Sequence, residues 1–189
     1  VDAYNKAKVK YLACVMKFIP RPVKGQKPGS MPKPTADYVS HLKDVCKAFP
    51  EIKYWEVDNE YELHLESEHY EKSVNWQHYH DYHKAFAEAV DEATGGKAIT
   101  VENGRAGIWP SLVKNAIESG AFDKVGVVNS HHYTGTDAPE SNVGNHNTSF
   151  GDAFSGRQKP ELFYDHLREV SRLVDSDGVD REHWITEFG

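Results

Sequence analysis

Short apolar runs alternate along the chain with stretches of helical spacing. Tyr11 to Met16 (YLACVM) is almost unbroken, as expected of a parallel strand covered on both faces. After a loop rich in Pro and Gly, Tyr38, Val39, Leu42, Val45, Cys46 and Phe49 recur at helical spacing. Thr35 is placed to cap that helix and Pro50 to stop it. Ile52 to Val57 predicts a second strand, leaving through Asp58, Asn59 and Glu60. The next helix carries Tyr79, Tyr82, Phe86, Ala89, Val90 and Ala93 and ends at Gly95 and Gly96.

The same rhythm continues. KAITVENG reads as a third strand ending on Glu102, Asn103 and Gly104. Trp109-Pro110-Ser111 opens a helix with Leu112, Val113, Ala116 and Ile117 on one face. KVGVVNSHHY predicts a fourth strand running into His131, His132 and Tyr133. A long Gly-, Asn- and Ser-rich loop, Thr134 to Pro160, precedes a helix with Phe163, Leu167, Val170 and Val174 on one stripe. HWITEFG is a fifth strand with Glu187 at its exit. Strands that alternate with helices predict right-handed β-α-β units and a parallel sheet, hence an α/β fold. An open doubly wound sheet and a (β/α)8 TIM barrel both fit. No glycine-rich phosphate loop follows any strand, which weakens the nucleotide-binding open sheets.

The 189 residues are 39% hydrophobic and 27% charged, which suits one folded domain over 1–189. A formal charge of −7 argues against a nucleic-acid partner, and no apolar run reaches membrane-spanning length. Cys14 lies in an apolar run and Cys46 on a helical stripe, so both read as buried thiols and not as a disulfide.

The chemistry gathers where strands end. The C-terminal ends of parallel strands share one face, and in barrels that face holds the active site. Asp58-Asn59-Glu60, Glu102-Asn103, His131-His132-Tyr133 and Glu187 are therefore expected to converge. Two carboxylates on one face suit glycosidic hydrolysis. One donates a proton to the leaving oxygen, and the other acts as nucleophile or base from the opposite side.

These residues resemble a known family. Asn59-Glu60 at one strand end and Thr186-Glu187-Phe188-Gly189 at a later one are similar to the signatures of clan A glycoside hydrolases, which are retaining (β/α)8-barrel glycosidases. The resemblance makes Glu60 the acid/base at the end of barrel strand four. It makes Glu187 the nucleophile at the end of strand seven, with the required two strand-helix units between them. His131-His132-Tyr133 sits where the clan often has a His-x-Tyr, whose Tyr contacts the nucleophile. Asn59 would bond the sugar hydroxyl beside the anomeric carbon. On strand parity His131 shares the face of Tyr133. Trp109, between a strand end and a helix, is placed to stack on a sugar ring.

The implied activity is retaining hydrolysis of O-glycosidic bonds in an oligo- or polysaccharide. It needs no cofactor and no metal, and a carbohydrate is the partner. Secreted or extracellular localisation follows from the glycosidase reading alone. Asp58 and Tyr61 flank Asn59-Glu60 where many relatives have Trp and Pro. A full barrel takes roughly 250 residues, and the chain reads as strands three to seven, so a segment of a longer polypeptide is expected, with the missing strands supplied elsewhere in it.

Other readings stand beside this one. Glu60 lies among Glu56, Glu62, Glu66, Glu68 and Glu71, as a solvated acidic loop would. Asn59 and Asn103 suit ordinary turns. His78, His80 and His83 do not share one helix face, so a packed or solvated helix face is expected rather than a metal site. A metal-dependent barrel hydrolase using His131 or His132 with Glu60, Glu102 or Glu187 is one alternative. A glycan-binding relative without activity is another.

Overall fold

The structure is a computed structural model that describes residues 12–16, 18–20, 33–61, 76–132 and 163–188. In chain order it contains β1 (Leu12–Val15), α1 (Ala36–Ala48), β2 (Tyr54–Val57), α2 (Trp76–Thr94), β3 (Ile99–Val101), α3 (Pro110–Glu118), β4 (Val125–His132), α4 (Phe163–Leu173) and β5 (Glu182–Phe188). Among the described residues no helix is long and apolar enough to cross a membrane.

Local chemistry sets the helix ends. The Thr35 hydroxyl accepts the Tyr38 N–H at 3.3 Å, satisfying one orphan donor of α1, and Asp37 and Lys47 complement its dipole. Helix α2 runs into Gly95 and Gly96 at φ 60° and 72°, where a side chain would be strained. Pro110 opens α3, where its missing N–H costs nothing.

The five strands form one parallel sheet in the order β1-β2-β3-β4-β5. Each crossover advances one strand in the same direction. A doubly wound sheet reverses its strand order at a switch point; these five strands never do. Trp55 and Val57 on β2 pack outward with Leu42, Cys46, Tyr82 and Phe86 of α1 and α2. Val125, Val128 and Ile185 pack outward with Val113, Ala116 and Val170 of α3 and α4. Burying one such side chain contributes about 1.5–3 kcal/mol.

The opposite face curls inward. Tyr54 on β2 and Trp184 on β5 bring their ring centroids to 4.9 Å, although two strands separate them. In a flat sheet their backbones would stand about 14 Å apart. One layer higher, Asn129 of β4 donates to Glu56 of β2 across 2.6 Å. A curled parallel sheet in sequential order, with helices outside it, is a sector of a (β/α)8 barrel.

The thiols divide differently from the sequence expectation. Cys46 is buried, whereas Cys14 is exposed, and both are free. An apolar run conceals which of its residues faces the concave side. The Cys14 position pairs with Glu56 in register, so it belongs to the inner face and not to the helix-covered core.

The three histidines of α2 are packed. His83 is fully buried: its Nδ1–H donates to the Tyr79 carbonyl at 3.1 Å, and its Nε2 accepts the Asn103 N–H at 3.4 Å. Accepting at Nε2 while donating from Nδ1 requires neutral imidazole. Burial pushes His83 down to about 3, and His80 and, on β5, His183 down to about 4. The unfolded chain protonates these groups near pH 6.5. Between pH 6.5 and about 4 it therefore binds more protons than the folded chain, and stability falls as pH falls. The urea midpoint should drop steadily across that window, and His80→Gln should flatten the slope. An unchanged midpoint would mean these imidazoles charge without cost.

Candidate active site

The exit of β2 is built under strain. Asp58 and Glu60 both adopt left-handed backbone, at φ 62° and 45°, on either side of Asn59. Such residues cost on the order of 1–3 kcal/mol each and persist only where neighbours dictate them. Here the neighbours are explicit. The buried Asp58 carboxylate accepts the N–H groups of Ile19 at 3.0 Å and Asn59 at 2.9 Å. Asn59 bridges to Gly104, and the Glu60 N–H donates to the Gly104 carbonyl at 2.9 Å. The Tyr61 N–H donates to the Asn103 side chain at 2.8 Å, and its hydroxyl to Pro20. The turn is held from three sides, which leaves the Glu60 side chain 23% exposed at the sheet's mouth.

Strands β4 and β5 supply the facing groups. Up to Ser130 opposite Ile185 their register is regular; the next pair is His131 opposite Glu187. One extra residue, Thr186, therefore sits in β5 as a bulge. Trp184 faces inward and Ile185 outward. Plain alternation would send Thr186 inward and Glu187 outward. The bulge re-aims Glu187, as bulges near sites commonly do.

Three side chains then meet. His131 Nδ1 lies 2.8 Å from a Glu60 oxygen and 3.5 Å from a Glu187 oxygen, and the nitrogen and one oxygen of each carboxylate are all within 4.8 Å of one another. With Nδ1 protonated, the buried imidazole donates to Glu60. Its other edge rests on Gly104, where an added Cβ would lie 2.2 Å from Nε2. Only glycine permits this ring position.

Beneath the site lies a buried frame. Glu102 and Arg105 pair at 3.0 Å with almost no exposure. Glu102 also accepts the Tyr79 hydroxyl and the Asn129 N–H, both at 3.1 Å. Arg105 donates to the carbonyls of Asn129 and Trp109 and to the Ser130 hydroxyl, and its own carbonyl accepts the His131 N–H. A buried pair with its remaining donors and acceptors used is tolerable; one left half-paired is not. Glu102, Asn103 and Arg105 thus carry the loop that seats Glu60 and His131.

No family model matches the chain, and no curated protein does. The fold is similar to that of a family 51 alpha-L-arabinofuranosidase from Bifidobacterium longum, with a TM-score of 0.56 and 16% identity. At that identity the likeness concerns fold alone. It covers all of this chain and 37% of that one, so the chain spans little more than a third of its neighbour's length.

Of the residues singled out in the sequence, the structure brings Glu60, His131 and Glu187 together, with Asn59 beside them in the β2 exit. Trp109 is only 7% exposed, and its ring packs over Gly107, where a Cβ would meet it at 2.8 Å. It presents packing rather than an open stacking face. Tyr133 and the Thr134 to Pro160 loop lie outside the described residues. Sequence reasoning placed Asp58 at the converging strand ends and Thr186 in a signature without a role for either, and it gave no role to Gly104, Glu56 or Asn129. One of these gave a signal: Glu56 is a polar residue inside an otherwise apolar strand.

Proposed function

We propose that the protein is a retaining glycoside hydrolase that cleaves O-glycosidic bonds of an oligo- or polysaccharide. One observation carries this reading. Glu60 and Glu187 project from the exits of two strands at one end of a barrel sheet, with oxygens within 4.8 Å. Retaining enzymes hold their carboxyl groups about 5–5.5 Å apart, whereas inverting ones need roughly 6.5–9.5 Å to admit a water. The fold likeness to an arabinofuranosidase supports the class.

In this mechanism Glu187 attacks the anomeric carbon while Glu60 protonates the departing oxygen. A covalent glycosyl ester forms on Glu187. Glu60, now ionised, takes a proton from water, and that water releases the sugar with its original configuration. Negative charge moves from Glu187 to Glu60 during the first step. His131 lies between them, and its Nδ1–H at 2.8 Å is aimed at the carboxylate that receives the charge. The clan A resemblance assigns Asn59 to substrate contact and Tyr133, beyond the described residues, to contact with the nucleophile.

An aryl α-L-arabinofuranoside is the first substrate to try, followed by aryl xylosides and glucosides. Proton NMR of the first product should show retained anomeric configuration. Inverted product would contradict double displacement, and binding without any cleavage would leave a glycan-binding protein. A second reading has its own observation: Glu60, His131 and Glu187 form a set that could take a divalent cation. Activity lost on chelation and restored by metal would favour it.

A further inference from the structure

We propose that Glu56 is a positioning residue for Glu187, acting through Asn129 and Thr186. The proposal rests on the reading of Glu187 as nucleophile.

The chain of contacts is continuous. Glu56 is 5% exposed on the inner face of β2, and one of its oxygens accepts the Asn129 side-chain N–H at 2.6 Å. Asn129 is fully buried. Its amide oxygen accepts the Thr186 hydroxyl at 2.9 Å, and its backbone is bound by Glu102 and Arg105. The amide can satisfy both neighbours in one orientation only. Turned over, its oxygen would face the Glu56 oxygen. Glu56 therefore decides that Asn129 presents an acceptor to Thr186.

Thr186 is the extra residue of the β5 bulge, next to Glu187. The bulge turns Thr186 and Glu187 both to the inner side, so the seat of Thr186 sets the backbone from which Glu187 departs. The hydroxyl bond to Asn129 is the described side-chain tie that holds Thr186 against the inner face. A carboxyl buried mid-strand is costly, and burial raises the affinity of Glu56 for a proton while Cys14 and Asn129 hydrogen bonds oppose that. A residue serving only to fill space there would be apolar.

The test uses the full-length protein and 2,4-dinitrophenyl 2-deoxy-2-fluoroglycosides of pentoses and hexoses. Their leaving group needs no acid, so dinitrophenolate release reports attack by Glu187 alone, and the fluorine slows breakdown of the ester. Wild-type protein should become labelled on Glu187. Thr186→Val keeps the shape, removes the hydroxyl and should slow labelling about 10²-fold, the cost of a misplacement near 1 Å. KM should change less than threefold, and Thr186→Ser should restore most of the rate. Glu56→Leu should match Thr186→Val, and the double variant should be no slower than either single one, because one chain of contacts has been cut once. Should Glu56→Leu fail to fold, the two Thr186 variants decide the matter. Labelling of Glu187 in wild type with Thr186→Val within threefold of it would overturn the positioning role. So would multiplied effects in the double variant. Wild-type label on another residue would overturn the nucleophile reading itself, and this proposal with it.

Discussion

Glu187→Gln is expected to lower kcat by about 10⁵-fold or more, the scale seen when a covalent nucleophile is removed. The amide cannot form the glycosyl ester, so the loss should not depend on the leaving group. Dinitrophenyl glycosides should suffer as badly as natural linkages. The fold should survive: Glu187 is 42% exposed, and its ionic neighbour His131 keeps its closer contact with Glu60. A circular dichroism spectrum like wild type beside an abolished rate is the expected pair of results. Retention of even a tenth of the activity would remove Glu187 from the mechanism.

Glu60→Gln should behave differently, and the difference identifies its role. A proton donor matters in proportion to how much the leaving group needs it. Substrates with sugar leaving groups should lose about 10²–10⁴-fold. Dinitrophenyl glycosides should react with Glu187 almost normally and then stall, because no base activates the releasing water. The expected trace is a burst of dinitrophenolate followed by slow turnover, with KM lowered by the accumulated ester. Azide should relieve the stall, since it needs no base. Gln can occupy the φ 45° position as Glu does, so backbone geometry should be unaffected. Equal losses on good and poor leaving groups, without a burst, would contradict the acid/base assignment.

The elements were legible in the sequence because their signals are local. YLACVM is a nearly continuous apolar run, Thr35 is a cap with its hydroxyl in place, and Gly95-Gly96 ends a helix where φ must be positive. Strand order was not legible, because pairing joins residues far apart in the chain. Strand pattern alone therefore fitted an open sheet as well as a barrel, and the sequential order β1 to β5 is what excludes the doubly wound sheet. The strand-exit positions of Glu60 and Glu187 could be read directly. What turns them toward each other could not. A bulge at Thr186 leaves no compositional mark, and left-handed backbone at Asp58 and Glu60 is invisible where neither residue is glycine. Arg105 follows a strand end in the sequence, yet it is wholly buried, because Glu102, Asn129, Ser130 and the Trp109 carbonyl need its donors. Gly104 reads as a turn residue; the ring of His131 against it explains the missing side chain better.

In the proposed mechanism Glu187 becomes covalently attached to the sugar while Glu60 manages the proton. Peptide mapping by mass spectrometry after reaction with a 2-deoxy-2-fluoroglycoside tests it most directly. One added glycosyl mass per chain is expected, carried by the peptide containing Trp184-Ile185-Thr186-Glu187 and localised to the Glu187 carboxylate. Turnover of the corresponding non-fluorinated substrate with no adduct on Glu187, or an adduct on Glu60, would contradict it.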